Sequence, residues 1–255
     1  MFQGLKRWFA NPQDATVPAS GLALSPKVWS DVGDWARDHH SKLRSVQDEG
    51  FVIDGRAGGR PEGCAWRLEW GPAQRPYIKT HELRLRADVQ LPGDLQLVVM
   101  NRGLQEAMEK AIFEQYVEGV QTRIDHQTPP EMRWLVMYPR LTGSELGALR
   151  ASFVAVASAK PWLLSWLEGP LTRALLAAPL DATLPVALMV GRGRLMLRTA
   201  LAEPDLHSLQ SWLALFETAI AEAARVARHP PQQPPATPAP STWSASVVPG
   251  VEGRG

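Results

Sequence analysis

An α+β fold, with an antiparallel β-meander and a second β-hairpin packed against several amphipathic helices, is predicted by three features of the sequence. The apolar spacing changes from about 3.6 to 2 at Phe51, and again near Leu184. The segments joining the first alternating runs, residues 57–63, 71–76 and 91–94, are short and rich in turn residues, too short for parallel crossovers. A run of helical periodicity follows each β region.

Taken in order, Ser25 and Pro26 suit a helix start, and Trp29, Val32, Trp35, Ala36, Leu43 and Val46 continue at helical spacing to a stop at Gly50. Residues 51–54 are a short strand. In residues 64–71, Trp66, Leu68 and Trp70 alternate with Arg67 and Glu69; in residues 83–89, Leu83, Leu85, Ala87 and Val89 alternate with Arg84, Arg86 and Asp88. Each therefore has one wet face, where Arg67, Glu69, Glu82, Arg84 and Arg86 are expected to pair across strands. Residues 95–100 are more continuously apolar and read as a central strand of the meander. Leu104, Met108, Ala111, Ile112, Tyr116 and Val120 define a second helix, and residues 133–138 a strand or buried turn. Helices over residues 145–156 and 162–177 come next, the latter broken at Gly169 and Pro170. Residues 184–190 and 195–201 form the hairpin about the turn 191–194. A final helix runs from Leu206 to Val226, with its apolar positions kept in phase throughout.

Three regions result. Residues 1–24 are an amphipathic segment and linker, residues 25–229 one α+β domain, and residues 230–255 a proline-rich tail expected to be disordered, with six prolines between Pro230 and Pro240. With 255 residues, 45% of them hydrophobic and 21% charged, the chain has enough apolar surface for a large core. Balanced charge, +1 overall, gives no long-range field for nucleic acid, and no nucleic-acid partner is predicted. The single cysteine, Cys64, rules out an intramolecular disulfide and fits a cytoplasmic setting. Neither a signal peptide nor a transmembrane segment is expected, because the apolar runs are interrupted well short of about 20 residues.

No Walker loop, G-x-S-x-G turn, S-x-x-K or H-E-x-x-H motif occurs, and the six histidines lack ligand spacing, so no metal and no cofactor are predicted. Two glycine turns flanked by arginines, with Arg56 and Arg60 on one and Arg192 and Arg194 on the other, present amides and guanidinium forks suited to an anion. They and Trp134 are the candidate ligand-binding residues. Residues 121–134, read as a loop, gather Asp125, Glu131 and Arg133, two carboxylates and a guanidinium suited to acid/base work on an anionic substrate. Phe2, Leu5, Lys6, Arg7, Trp8 and Phe9 form a short cationic amphipathic turn able to touch a membrane surface.

The runs GRAGGRP, WRLEWGP, ELRLRADVQLP, LQLVVMNRGL, FEQYVEGVQTRID and PPEMRWLVMYP resemble a family of proteobacterial proteins of unknown function, over about residues 50–215. That resemblance implies a bacterial cytoplasmic protein and brings no activity or catalytic residue. The preferred functional expectation is a non-enzymatic binding or scaffolding domain for a protein or small-molecule partner, held in a groove beside the sheet. Two alternatives stand beside it: a hydrolase-like enzyme using the acidic residues of 121–134, and a peripheral membrane protein anchored by residues 2–9.

Overall fold

Alternation of apolar and polar side chains on the strands resolves into one eight-stranded antiparallel sheet in a computed structural model that describes residues 26–46, 50–117, 128–179 and 184–231. Helix α1 (Pro26–Asp38) leads into strands β1 (Lys42–Val46), β2 (Gly50–Arg56), β3 (Ala65–Pro72), β4 (His81–Asp88) and β5 (Leu97–Asn101). Helices α2 (Arg102–Val117), α3 (Pro130–Met137) and the single turn α4 (Gly143–Leu146) precede β6 (Phe153–Ala157). Then come α5 (Lys160–Leu167), α6 (Pro170–Ala177), the hairpin β7 (Val186–Gly191) and β8 (Arg194–Ala200), and α7 (Leu206–Arg228). The strand order is β1-β2-β3-β4-β8-β7-β5-β6.

The two β regions are thus joined, and the meander is shorter than expected. β5 is not beside β4; the β8–β7 hairpin sits between them. The physical reason lies in composition. Leu97, Val98, Val99, Met100 and Asn101 are all buried, so β5 needs cover on both faces, which the half of the sheet under α2 and α3 provides.

On the inner face, Phe51, Ile53, Trp66, Leu68, Trp70, Leu83, Leu85, Leu188 and Leu197 pack beneath α1, α5, α6 and α7. Trp70 is stacked between Phe51 (ring centroids 5.7 Å apart) and His81 (4.5 Å), and its Nε1 donates to the Leu201 carbonyl at 2.8 Å. Trp166 of α5 donates to the Ala219 carbonyl at 3.0 Å, tying α5 to α7. A smaller core on the outer face joins Leu104 and Met108 of α2 and Met132, Trp134 and Leu135 of α3 to Val98, Met100, Val156 and Met189. Among the described residues it covers the β7–β5–β6 side of the sheet and reaches Met196 and Ala200 of β8, with Tyr77 and Ile78 joining it from the β3–β4 connection. Trp66, Trp70, Trp134, Trp162 and Trp212 are all core residues, as their apolar spacing predicts.

Three further expectations are corrected. The first helix stops at Asp38, and Leu43 and Val46 belong to β1, an edge strand paired with β2. Residues 133–138 are neither strand nor turn: Pro130, whose ring already fits the first helical turn, opens α3. The helix expected over 145–156 is one capped turn, where Thr142 and Glu145 exchange side-chain and backbone hydrogen bonds, then a 3₁₀ stretch and strand β6. The break at Gly169 and Pro170 and the length of the last helix are as predicted; α7 is capped by Asp205, which accepts from Ser208 N at 2.9 Å. The tail falls outside the described residues beyond Pro231. Among the described residues, no helix is long and apolar enough to cross a membrane.

Candidate functional site

The chain leaving β2 makes the turn GRAGGRP, where Gly58 (φ 66°) and Gly59 (φ 64°) both occupy the left-handed region that costs side-chain-bearing residues dearly. Backbone bonds from Ala57 N to the Cys64 carbonyl and from Gly63 N to the Arg60 carbonyl, both 2.9 Å, close the turn. Arg56 Nη1 adds a bond to the Gly63 carbonyl at 2.9 Å. The amide of Gly58, one of the donors expected to meet an anion, already meets one: it donates to Glu217 Oε1 of α7 at 3.2 Å. The indole Nε1 of Trp66 donates to the same oxygen at 3.0 Å. Glu217 thereby fixes the turn and Trp66 against α7.

Trp66 lies flat across its β2 neighbour because residue 55 has no side chain; a Cβ on Gly55 would stand 2.3 Å from the indole Cζ2 and 2.7 Å from Ser41 Oγ. From α1, Trp35 and His39 add a second aromatic wall, with ring centroids 5.0 Å apart. His39 Nδ1 lies 2.9 Å from the Trp35 carbonyl, an acceptor only, so Nδ1 donates to it and the ring is held against the end of α1. Together the end of α1, the glycine turn and α7 enclose an open cleft of about 380 Å³. Trp35, Trp66 and Leu213 line it with apolar surface; Ser41, Arg56, Gln210 and Glu217 add polar groups. Apolar and polar surface line it in similar shares, and convergent polar groups are what fix a ligand's orientation.

Of the residues singled out in the sequence, Arg56 reaches this cleft, together with Gly58 and Gly59. Arg60 is exposed on the same turn and does not line it. Arg192 and Arg194 flank the β7–β8 turn at the same end of the sheet, three strand positions away, or roughly 14 Å at the usual strand spacing. The two glycine turns are therefore separate features. Trp134 is buried in the outer core, its ring close over Gly191, where a Cβ would lie 2.9 Å from it.

Glu131 is fully buried in the first turn of α3, away from the cleft. Its Oε1 accepts from Arg75 Nε at 2.7 Å and from the Tyr77 hydroxyl at 2.5 Å, while Oε2 has no hydrogen-bond partner. Burial, reinforced by the adjacent Glu131, pushes the Tyr77 phenol well above its ordinary range. Arg133, on the same helix, is half-buried, with its Nε unpartnered. Asp125 lies outside the described residues, as do Phe2, Leu5, Lys6, Arg7, Trp8 and Phe9. The expected cross-strand pairing is present: Asp54 binds Arg67 at 2.5 Å and also Arg44, and Glu69 binds Arg84 at 3.1 Å and Arg86 at 3.2 Å. Burial alone would raise the Asp54 carboxyl, but its hydrogen bonds from Arg67 and Arg44 hold it below the usual value.

The sequence reading missed Trp35, His39, Ser41, Gln210 and Glu217 as site residues. Glu217 offered a signal: on the last helix it sits beside Phe216 in an otherwise apolar sector, and a half-buried carboxylate there requires partners. Among the described residues, no group of three or more His, Cys, Asp or Glu is placed to hold a metal ion. Compared with protein families, curated proteins and solved structures, the chain matches none.

Proposed function

We propose that the protein is a non-enzymatic binding domain of the bacterial cytoplasm that holds a small molecule, or a side chain of a protein partner, in the cleft between α1, the glycine turn and α7. The observation that carries the reading is the cleft itself, with Trp35 and Trp66 as its aromatic lining and Arg56, Ser41, Gln210 and Glu217 as its polar groups. Rigid aromatic surface gives affinity with little entropy cost, and the few polar groups select orientation. Glu131, the acidic candidate for catalysis, is engaged with Arg75 and Tyr77 elsewhere, which further supports binding over acid/base work in the cleft.

The test uses the Trp66 indole N–H as reporter, since its bond to Glu217 borders the cleft. A fragment library screened by nitrogen–proton NMR on the full chain is expected to yield compounds that shift this resonance. Ala214→Trp, which fills the cleft from an exposed position on α7, is expected to remove those shifts while the remaining spectrum is kept. Shifts that persist in Ala214→Trp would reject the cleft as the binding site.

A further inference from the structure

Across the sheet, the outer face changes character abruptly at β8, between β4 and β7. One cross-strand row reads Lys42, Asp54, Arg67 and Arg86, and then Met196, Met189, Val98 and Val156. The next reads Arg44, Val52, Glu69, Arg84 and Arg198, and then Ala187, Met100 and Val154. Helices α2 and α3 seat their buried residues on the apolar half. On the charged half, Arg67 stands directly opposite Arg86, and Arg84 directly opposite Arg198.

Directly opposed like charges destabilise a sheet unless something offsets them. Inside the molecule three carboxylates do so in part: Asp54 for Arg44 and Arg67, Glu69 for Arg84 and Arg86, and Glu82 for Arg84 and Arg198. Five guanidinium groups thus share three carboxylates. Height matters as much as number. The Arg44, Arg86 and Arg67 side chains are 57%, 49% and 36% exposed, whereas those of Asp54, Glu69 and Glu82 are 31%, 19% and 0% exposed, so these three cations stand above the anions; Arg84 and Arg198, 15% and 12% exposed, lie down around Glu82. Opposed arginines that reach the surface, as Arg67 and Arg86 do, break a local pairing rule where function can use it.

We propose that the charged outer face of β1–β4, which no helix among the described residues covers, docks an extended acidic segment of a protein partner. Arg67 and Arg86 face each other across β3 and β4, and Arg44 stands on β1 two strands beyond Arg67, a spread that same-side carboxylates of an extended peptide, repeating at roughly 7 Å, can follow. Guanidinium forks bind carboxylates with two parallel hydrogen bonds, and such a partner would add anions to a surface on which five guanidinium groups share three carboxylates. Nucleic acid is the less favoured anion, because Trp66 and Trp70 of the same strands are buried on the inner face and leave no aromatic platform for bases. This docking surface is independent of the cleft.

Fluorescence anisotropy of a labelled oligoglutamate peptide with the full chain tests the proposal, with oligoglutamine as the neutral control. Binding of oligoglutamate alone, weakened by salt, is expected. The double variant Arg44→Gln/Arg86→Gln, in which Asp54 keeps Arg67 and Glu69 keeps Arg84, is expected to weaken it on the order of tenfold. Arg173→Gln, on α6 at the inner side, and the cleft-filling Ala214→Trp are expected to leave it unchanged. Circular dichroism verifies the fold of each variant, and Arg44→Gln alone serves if the double variant unfolds. No oligoglutamate binding at low salt, equal binding by the arginine variants, or tighter binding of oligothymidylate or of anionic vesicles would each overturn the proposal.

Discussion

Glu131 illustrates how one residue type supports two readings until its neighbours are known. A carboxylate beside Arg133 and Trp134 in a proline-bounded segment has the ingredients of acid/base chemistry, yet its partners come from residues 75 and 77, more than fifty positions earlier in the chain. No local spacing encodes that. With both partners converging on one buried carboxylate, Glu131→Gln leaves the largely buried Arg75 without its counter-ion and is expected to lower unfolding free energy in urea by about 3 kcal/mol. Tyr77→Phe removes one hydrogen bond to a charged group and is expected to cost about 2 kcal/mol. If Glu131→Gln is as stable as the parent, the network is not a structural tie. Glu145 supplies a pH signature of its own. Lys160 and the cap at Thr142 lower its carboxyl from 4.5 to about 2 in the folded chain. Because the folded value is the depressed one, its stabilising contribution is complete above pH 4.5 and is lost as pH falls toward about 2. Thermal melts across that window are expected to show a smaller decline for Lys160→Met than for the parent chain.

At the scale of elements, legibility followed exposure. Strands β3, β4 and β8 announce themselves because one face is apolar and the other carries charge, so the period of two survives in the sequence. β6, with every residue of FVAVA buried, has no polar face to alternate with, and its apolar positions merge into the helical pattern before it. β1 failed for the opposite reason: Leu43 and Val46 extend the stripe of α1 by chance of spacing, although four of the strand's five residues are exposed. The glycine turn was readable as a cradle because its residues are contiguous, whereas the rest of the cleft arrives from α1 and from α7, some 150 positions away in the case of Glu217. Gly55 couples the turn to the cleft. Gly55→Ala places a Cβ 2.3 Å from the Trp66 ring, and β2 cannot retreat because it is paired on both sides. Displacement of Trp66 is expected to cost about 1–3 kcal/mol and to shift its indole N–H resonance away from the position set by Glu217.

The whole molecule is a sheet clad unevenly. Its inner face is roofed by α1, α5, α6 and α7, while on the outer face, among the described residues, the cover by α2 and α3 lies over β5, β6 and β7 and reaches part of β8. Strands buried on both faces lose the most apolar surface to water when they open, and strands at a charged edge the least. β1, bordering a single neighbour and contributing little to either core, stands at the weak end of that gradient. Continuity matters too, since β4 and β8 pair over seven residues and bridge the doubly covered half to the singly covered one. The molecule is therefore expected to open from the β1 edge inward rather than at the middle of the sheet. Native-state hydrogen exchange checks this directly: amides of β5 and β7 that bond within the sheet should exchange only through global unfolding, those of β3 and β4 more readily, and those of β1 through local opening that is insensitive to dilute urea. Equal protection in β1 and β5 would mean that the charged half is held as firmly as the doubly covered half, and the uneven cladding would then carry no consequence for stability.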